Sequence, residues 1–207
     1  MVRILLVIAI LLLSIQVALA KPITLLALGD SLTSGLGLEA NETFPAKLEA
    51  ALKGRYPELK IINGGISGDT AADGLARLDW LLTDDVSGLI VELGANDALR
   101  GLDAAQTEAA LDGIMAKAKA KNLPVLLLGM KAPPNMGPDY VARFDGLYSR
   151  LAEKYQALFY PFYLDGVAAN ASLNQADGIH PNRQGVDVIV TKVMPRVEEL
   201  IGKAEVK

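Results

Sequence analysis

Past its first twenty residues the chain alternates between short apolar runs and longer stretches in which apolar and polar positions recur at helical spacing. Five runs, Ile23–Leu28, Leu59–Ile62, Gly88–Leu93, Pro124–Gly129 and Leu158–Phe162, are short and mostly apolar on both faces. That is the pattern of parallel strands covered by helices on either side, since a strand with one wet face would alternate. Amphipathic stretches predict helices over Glu42–Lys53, Thr70–Leu82, Asp103–Lys121, Asp139–Gln156 and Asn182–Ile201. The last has the clearest period: Val186, Ile189, Val190, Val193, Val197, Leu200 and Ile201 return at steps of three and four. Pro195 within it predicts a bend or a break, because proline lacks the N–H and its ring crowds the preceding turn. Strand and helix in alternation predict a three-layer α/β/α sandwich with a five-stranded parallel sheet and right-handed crossovers.

The first twenty residues follow a different rule. Arg3 precedes an unbroken apolar run from Ile4, which ends on Ala18-Leu19-Ala20 before Lys21-Pro22. This is the form of a secretory signal peptide cleaved after Ala20. A retained anchor competes with it, but the stretch from Ile4 to Ala20 is borderline for crossing roughly 30 Å of hydrocarbon. Residues 1–20 are therefore assigned to a signal peptide and 21–207 to one domain, with no integral membrane span once the leader is removed and a periplasmic or secreted destination. Loss of Arg3 leaves 19 of the 20 Lys and Arg against 24 Asp and Glu, a formal charge of −5. Nothing in that balance favours a nucleic-acid partner. The chain has no cysteine, so thiol catalysis, thiolate metal sites and disulfides are excluded, and stability must come from packing.

In parallel α/β sheets ligands bind beyond the carboxyl ends of the strands, and the chemically suggestive residues fall there. Ser31 follows the first strand, Gly65-Ile66-Ser67-Gly68-Asp69-Thr70 the second and Gly94-Ala95-Asn96-Asp97 the third, while Asp177-Gly178-Ile179-His180 precedes the last helix. A serine hydroxyl is a poor nucleophile near neutral pH, so Ser31 needs a base, and His180 is the only imidazole in the chain. Asp177, three residues earlier, reaches Nδ1 of that ring if Gly178-Ile179 forms a tight turn, fixing the tautomer that leaves Nε2 free. Pro181 biases His180 toward an extended backbone and a stiff loop. Asp30 and Asp97 invite a metal reading, but one histidine and no cysteine leave no ligand set, so no metal is expected. Asp30 is expected to brace the Ser31 loop. The run Gly35-Leu36-Gly37-Leu38-Glu39-Ala40 approaches a dinucleotide fingerprint but starts too late after its strand, and is read as a flexible loop. Asn41-Glu42-Thr43 and Asn170-Ala171-Ser172 fit the glycosylation pattern, a reading that the bacterial-looking leader disfavours.

Gly29-Asp30-Ser31-Leu32, Gly68, Gly94-x-Asn96-Asp97 and Asp177-x-x-His180 together resemble the four signature blocks of the SGNH (GDSL) hydrolases, in the same order over nearly the whole mature chain. The runs Ser67-Gly68-Asp69-Thr70, Val91-Glu92-Leu93-Gly94, Asn96-Asp97-Ala98-Leu99-Arg100-Gly101 and Gly178-Ile179-His180-Pro181-Asn182-Arg183 most resemble the periplasmic thioesterase I, lysophospholipase and arylesterase subgroup. The resemblance implies a flavodoxin-like sheet and hydrolysis of acyl esters and thioesters without a cofactor. It also implies an oxyanion hole made by the backbone N–H of Ser31, the backbone N–H of Gly68 and the side-chain amide of Asn96. The apolar loops around Ser31 are the candidate acyl groove: Leu32, Leu99, Pro134 and Ile179, with Leu36, Leu38, Leu102, Pro133, Met136 and Tyr140 nearby in sequence, and Gly101 and Gly137 to let the loops move. The expected partner is a small-molecule acyl ester or thioester bound by a monomer. Two alternatives stand beside this: a carbohydrate acetyl esterase with the same catalytic set, and a non-catalytic acyl-chain carrier.

Overall fold

The computed structural model describes residues 22–206, so the signal-peptide assignment lies outside the described residues. Five strands, β1 (Thr24–Gly29), β2 (Lys60–Gly65), β3 (Val86–Glu92), β4 (Val125–Leu128) and β5 (Leu158–Tyr160), form one sheet in the order β2-β1-β3-β4-β5. Every neighbouring pair is parallel. The continuous apolar runs explain this, for β1 is buried along its whole length and β4 likewise. At the edge, β2 is only partly covered: Ile61 and Gly64 are buried, while Lys60 and Asn63 are exposed.

The helices are α1 (Ser31–Ser34), α2 (Phe44–Leu52), α3 (Ala71–Leu81), α4 (Ala95–Leu99), α5 (Ala104–Ala120), α6 (Pro138–Tyr155) and α7 (Arg183–Glu205). Contacts of α3 with α5 and α5 with α6 make one helical layer, and α2 on α7 makes the other. Predicted and observed elements agree to within a few residues, and some of the differences have a local cause. Thr70, Asp103 and Asn182 lie just outside their helices as N-caps, each side chain accepting a backbone N–H of the first turn. The short helices α1 and α4 escape a periodicity reading because four or five residues do not complete a repeat.

Two expectations need correction. Of the bend or break expected at Pro195, the break does not occur: the last helix continues through it to Glu205. Its ring lies on the exposed side, so the stripe of Val186, Ile189, Val190, Val193, Val197, Leu200 and Ile201 stays buried across it and gains Ala204. Gly35–Ala40 is not an untethered loop either. Gly35 caps α1 in the left-handed conformation, φ 81°, Leu38 N–H donates to Gly35 O, and Leu36 O accepts from Gln175 Nε2 at 2.7 Å.

Register decides where the loops emerge. Gly29 of β1 lies opposite both Gly65 of β2 and Glu92 of β3, so these three strands end at one level. The winding reverses between β1 and β3, which opens a crevice at the carboxyl ends of these two strands.

Candidate active site

Ser31 begins α1, at the first turn after β1. Its Oγ lies 2.9 Å from Nε2 of His180, 149 residues away in sequence. On the other side of the ring, Nδ1 is 2.7 Å from Asp177 Oδ2. The second oxygen of Asp177 accepts two backbone N–H groups, from Ile179 at 2.9 Å and His180 at 3.0 Å. This turn requires Gly178, whose φ of 71° a residue with a Cβ rarely adopts. The backbone N–H of His180, then its ring and the N–H of Ile179, hold the Asp177 carboxyl down at about 2. An anionic Asp177 thus faces Nδ1 across the whole working range of a folded enzyme, which fixes the proton there and leaves Nε2 as an acceptor.

The imidazole is carried on a bend at the end of its loop. Asn174 and Pro181 form an isolated antiparallel bridge, and Gln175 N–H donates to His180 O at 2.7 Å. Gln175 Nε2 also bridges Leu36 O and Pro181 O, tying the histidine loop to the segment after α1. The ring is therefore held from both directions before any ligand arrives.

Of the three residues implied as oxyanion donors, Ser31 and Asn96 line the cavity that His180 also lines, and Gly68 does not. The backbone N–H groups of Ser31 and Gly68 have no hydrogen-bond partner among the described residues. Gly68 has φ 90°, and Arg100 Nη2 donates to its carbonyl at 2.7 Å, fixing the peptide plane. Asn96 Nδ2 sits 3.1 Å from Asp30 Oδ2 and 3.0 Å from the backbone oxygen of Asp69, so each amide hydrogen has an acceptor.

A cavity of about 650 Å³ opens on Ser31 and His180. Leu32, Leu99, Pro134 and Ile179 all line it, as does Pro133. Leu36, Leu38, Leu102, Met136 and Tyr140 do not; Tyr140, for one, stacks on Phe144 and donates to Leu102 O at 2.8 Å. Sequence reasoning missed Met130, Phe162, Leu164 and Ala168, which complete the apolar wall from the ends of β4 and β5. Only the folded path of the chain brings those segments beside Ser31.

The acids beside the site serve the loops. Asp97 is buried and accepts from Ala71 N–H at 2.9 Å and Thr107 Oγ1 at 3.0 Å, locking the loops after β2 and β3 together. Among the described residues no group of three or more His, Asp or Glu is arranged to hold a metal ion. Glu92, at the end of β3, was overlooked as part of the site. It is fully buried, accepting from Thr33 Oγ1 at 2.7 Å and facing Asp30 N–H at 3.5 Å. The signal was available as an acid inside the apolar run Leu89-Ile90-Val91-Glu92-Leu93.

A hydroxyl, an imidazole and a carboxylate in line at the carboxyl edge of a parallel α/β sheet define the class, a serine hydrolase of ester bonds. Residues 27–188 match the model of the GDSL-like Lipase/Acylhydrolase family, and the chain belongs to that family. It is 40% identical over 179 residues to Esterase TesA of Pseudomonas aeruginosa, covering 86% of this chain and 89% of that one. To the Thioesterase 1/protease 1/lysophospholipase L1 of Escherichia coli strain K12 it is 37% identical, covering 86% of this chain and 85% of the other. A crystal structure of TesA superposes with a TM-score of 0.81 at 39% identity, over 86% of this chain and 99% of that one.

Proposed function

We propose that residues 21–207 form an exported esterase and thioesterase that cleaves medium to long acyl chains through an acyl-enzyme on Ser31. The observation that carries this reading is the single imidazole bridging Ser31 and Asp177 at 2.9 and 2.7 Å, beside an apolar cavity of about 650 Å³. As Ser31 Oγ attacks the acyl carbon, His180 Nε2 takes the hydroxyl proton and Asp177 stabilises the resulting imidazolium. The charge developing on the acyl oxygen is received by the N–H groups of Ser31 and Gly68 and by Asn96, through the hydrogen it otherwise directs at Asp69 O. Collapse breaks the bond to the leaving alkoxide or thiolate, which takes the proton from His180. Water then attacks the acyl-enzyme by the same route and frees the carboxylic acid and Ser31. The relatives named as esterase and thioesterase support both leaving groups, and the signal-like leader supports export. No helix among the described residues is long and apolar enough to cross a membrane.

The test joins fluorophosphonate labelling with turnover of p-nitrophenyl esters of graded length, acyl-CoA and lysophospholipid. One label per molecule, on Ser31, and a rate that rises beyond acetyl are expected. A rate confined to acetyl esters favours a carbohydrate acetyl esterase, and labelling without turnover favours a carrier.

A further inference from the structure

Asp30 is fully buried and directly precedes Ser31, yet the acyl-transfer steps give it no part. Its two carboxylate oxygens reach two different parts of the oxyanion site. Oδ1 accepts the Leu32 N–H at 2.9 Å, closing the nucleophile turn while the neighbouring Ser31 N–H is left without a partner. Oδ2 accepts from Asn96 Nδ2 at 3.1 Å, across 66 residues of sequence. Glu92 lies beneath, its Oε2 receiving the Thr33 hydroxyl and facing the Asp30 N–H, while its Oε1 has no hydrogen-bond partner among the described residues.

We propose that Asp30 is the positioning residue of the oxyanion site, one buried carboxylate that holds the Ser31 turn and the Asn96 amide at a fixed separation. The proposal rests on the reading of Asn96 as an oxyanion donor. Only a carboxylate accepts from both sides, because an amide in its place presents one acceptor and turns its own N–H₂ toward the other donor. By taking one hydrogen of Asn96, Asp30 also orients the amide plane, so the second hydrogen is directed at Asp69 O in the loop after β2, the residue next to Gly68.

The charges around Asp30 decide which acid keeps the proton. Glu92 faces it from β3, Asp69 from the loop after β2 in a 2.6 Å ion pair with Arg77, and His180 from the loop before α7. The buried phenols of Tyr148 and Tyr163, pushed up first by burial, feel the same acids. Burial, followed by the charge of Asp30, lifts Glu92 well above the ordinary carboxylate range, so Glu92 stays neutral. Burial also lifts Asp30, to about 6, against the opposing pull of the Leu32 N–H, His180 and Asn96. Asp30 therefore carries the negative charge at neutral pH and loses it in mild acid, weakening the acceptor that anchors Asn96.

A double-mutant cycle on the full chain tests this with a medium-chain ester. Asp30→Asn is expected to lower kcat by about tenfold to a hundredfold with KM within about twofold, and Asn96→Ala by roughly a hundred- to a thousandfold. In the Asn96→Ala background, Asp30→Asn is expected to cost less than about threefold, since its target is gone. Multiplicative losses overturn the proposal while leaving Asn96 as a donor. A full kcat in Asn96→Ala overturns both the proposal and the oxyanion reading on which it rests. Should Asp30→Asn fail to fold, the pH profile of kcat decides without it: the acid limb is expected to be steeper in the parent than in Asn96→Ala, and equal steepness overturns the proposal.

Discussion

At the residue scale the proposed mechanism makes a few side chains act as one unit. Ser31→Ala and His180→Ala are each expected to remove about four or more orders of magnitude of turnover, and the double variant to be scarcely worse. Losses that multiply, measured on purified and folded variants, would separate the two groups. Asp177→Asn is expected to retain substrate binding and lose roughly three to four orders of magnitude in kcat, because an amide no longer dictates which ring nitrogen bears the proton. With its carboxyl held at about 2, Asp177 is not expected to titrate within the activity profile. The serine, the imidazole and the spacing of the acid were legible in the sequence because the chain offers a single histidine and places Asp177 three residues before it. The brace of Asp30 on the Ser31 loop, seen as its bond from Leu32 N–H, was legible, but its second partner was not. Its contact with Asn96 spans 66 residues, and nothing local announces a carboxylate shared between two loops.

At the scale of elements, β3 ends on a buried acid and α7 runs through a proline; each makes a measurable prediction. Glu92 is raised well above 4.5 in the folded chain, so it binds its proton more tightly there than in the unfolded chain. Its contribution to stability is complete below about 4.5 and is lost as pH rises through the folded value. Glutamine copies the neutral form without that loss. The melting-temperature difference between Glu92→Gln and the parent is thus expected to move in favour of the variant as pH rises, and a difference that stays flat would show that Glu92 is not protonated. Pro195→Ala restores an N–H to the exposed side of α7 without touching its buried stripe. A gain of about 1–3 kcal/mol is expected, a few degrees in Tm for each kcal/mol in a domain of this size. A lower Tm would mean that α7 needs its proline in order to follow the sheet.

At the scale of the whole molecule, the export proposed above predicts a product that begins at Lys21, which mass spectrometry of the secreted fraction checks, and removal of residues 1–20 is expected to leave kcat on soluble esters unchanged. An N-terminus at Met1 in the exported protein would reassign the leader as an anchor. The number of strands, their parallel pairing and the class of chemistry were determined by the sequence itself. Short runs apolar on both faces can be buried only between two helical layers, and one base in the chain leaves one candidate for proton transfer. Tertiary structure alone decided what lies between sequence-distant segments: the 2.9 Å approach of His180 to Ser31, the shared carboxylate of Asp30, and the cavity wall that Met130, Phe162 and Leu164 complete. Local pattern specifies which face of an element is apolar. Strand order and register specify which loops meet, and those are set by packing across the whole sheet.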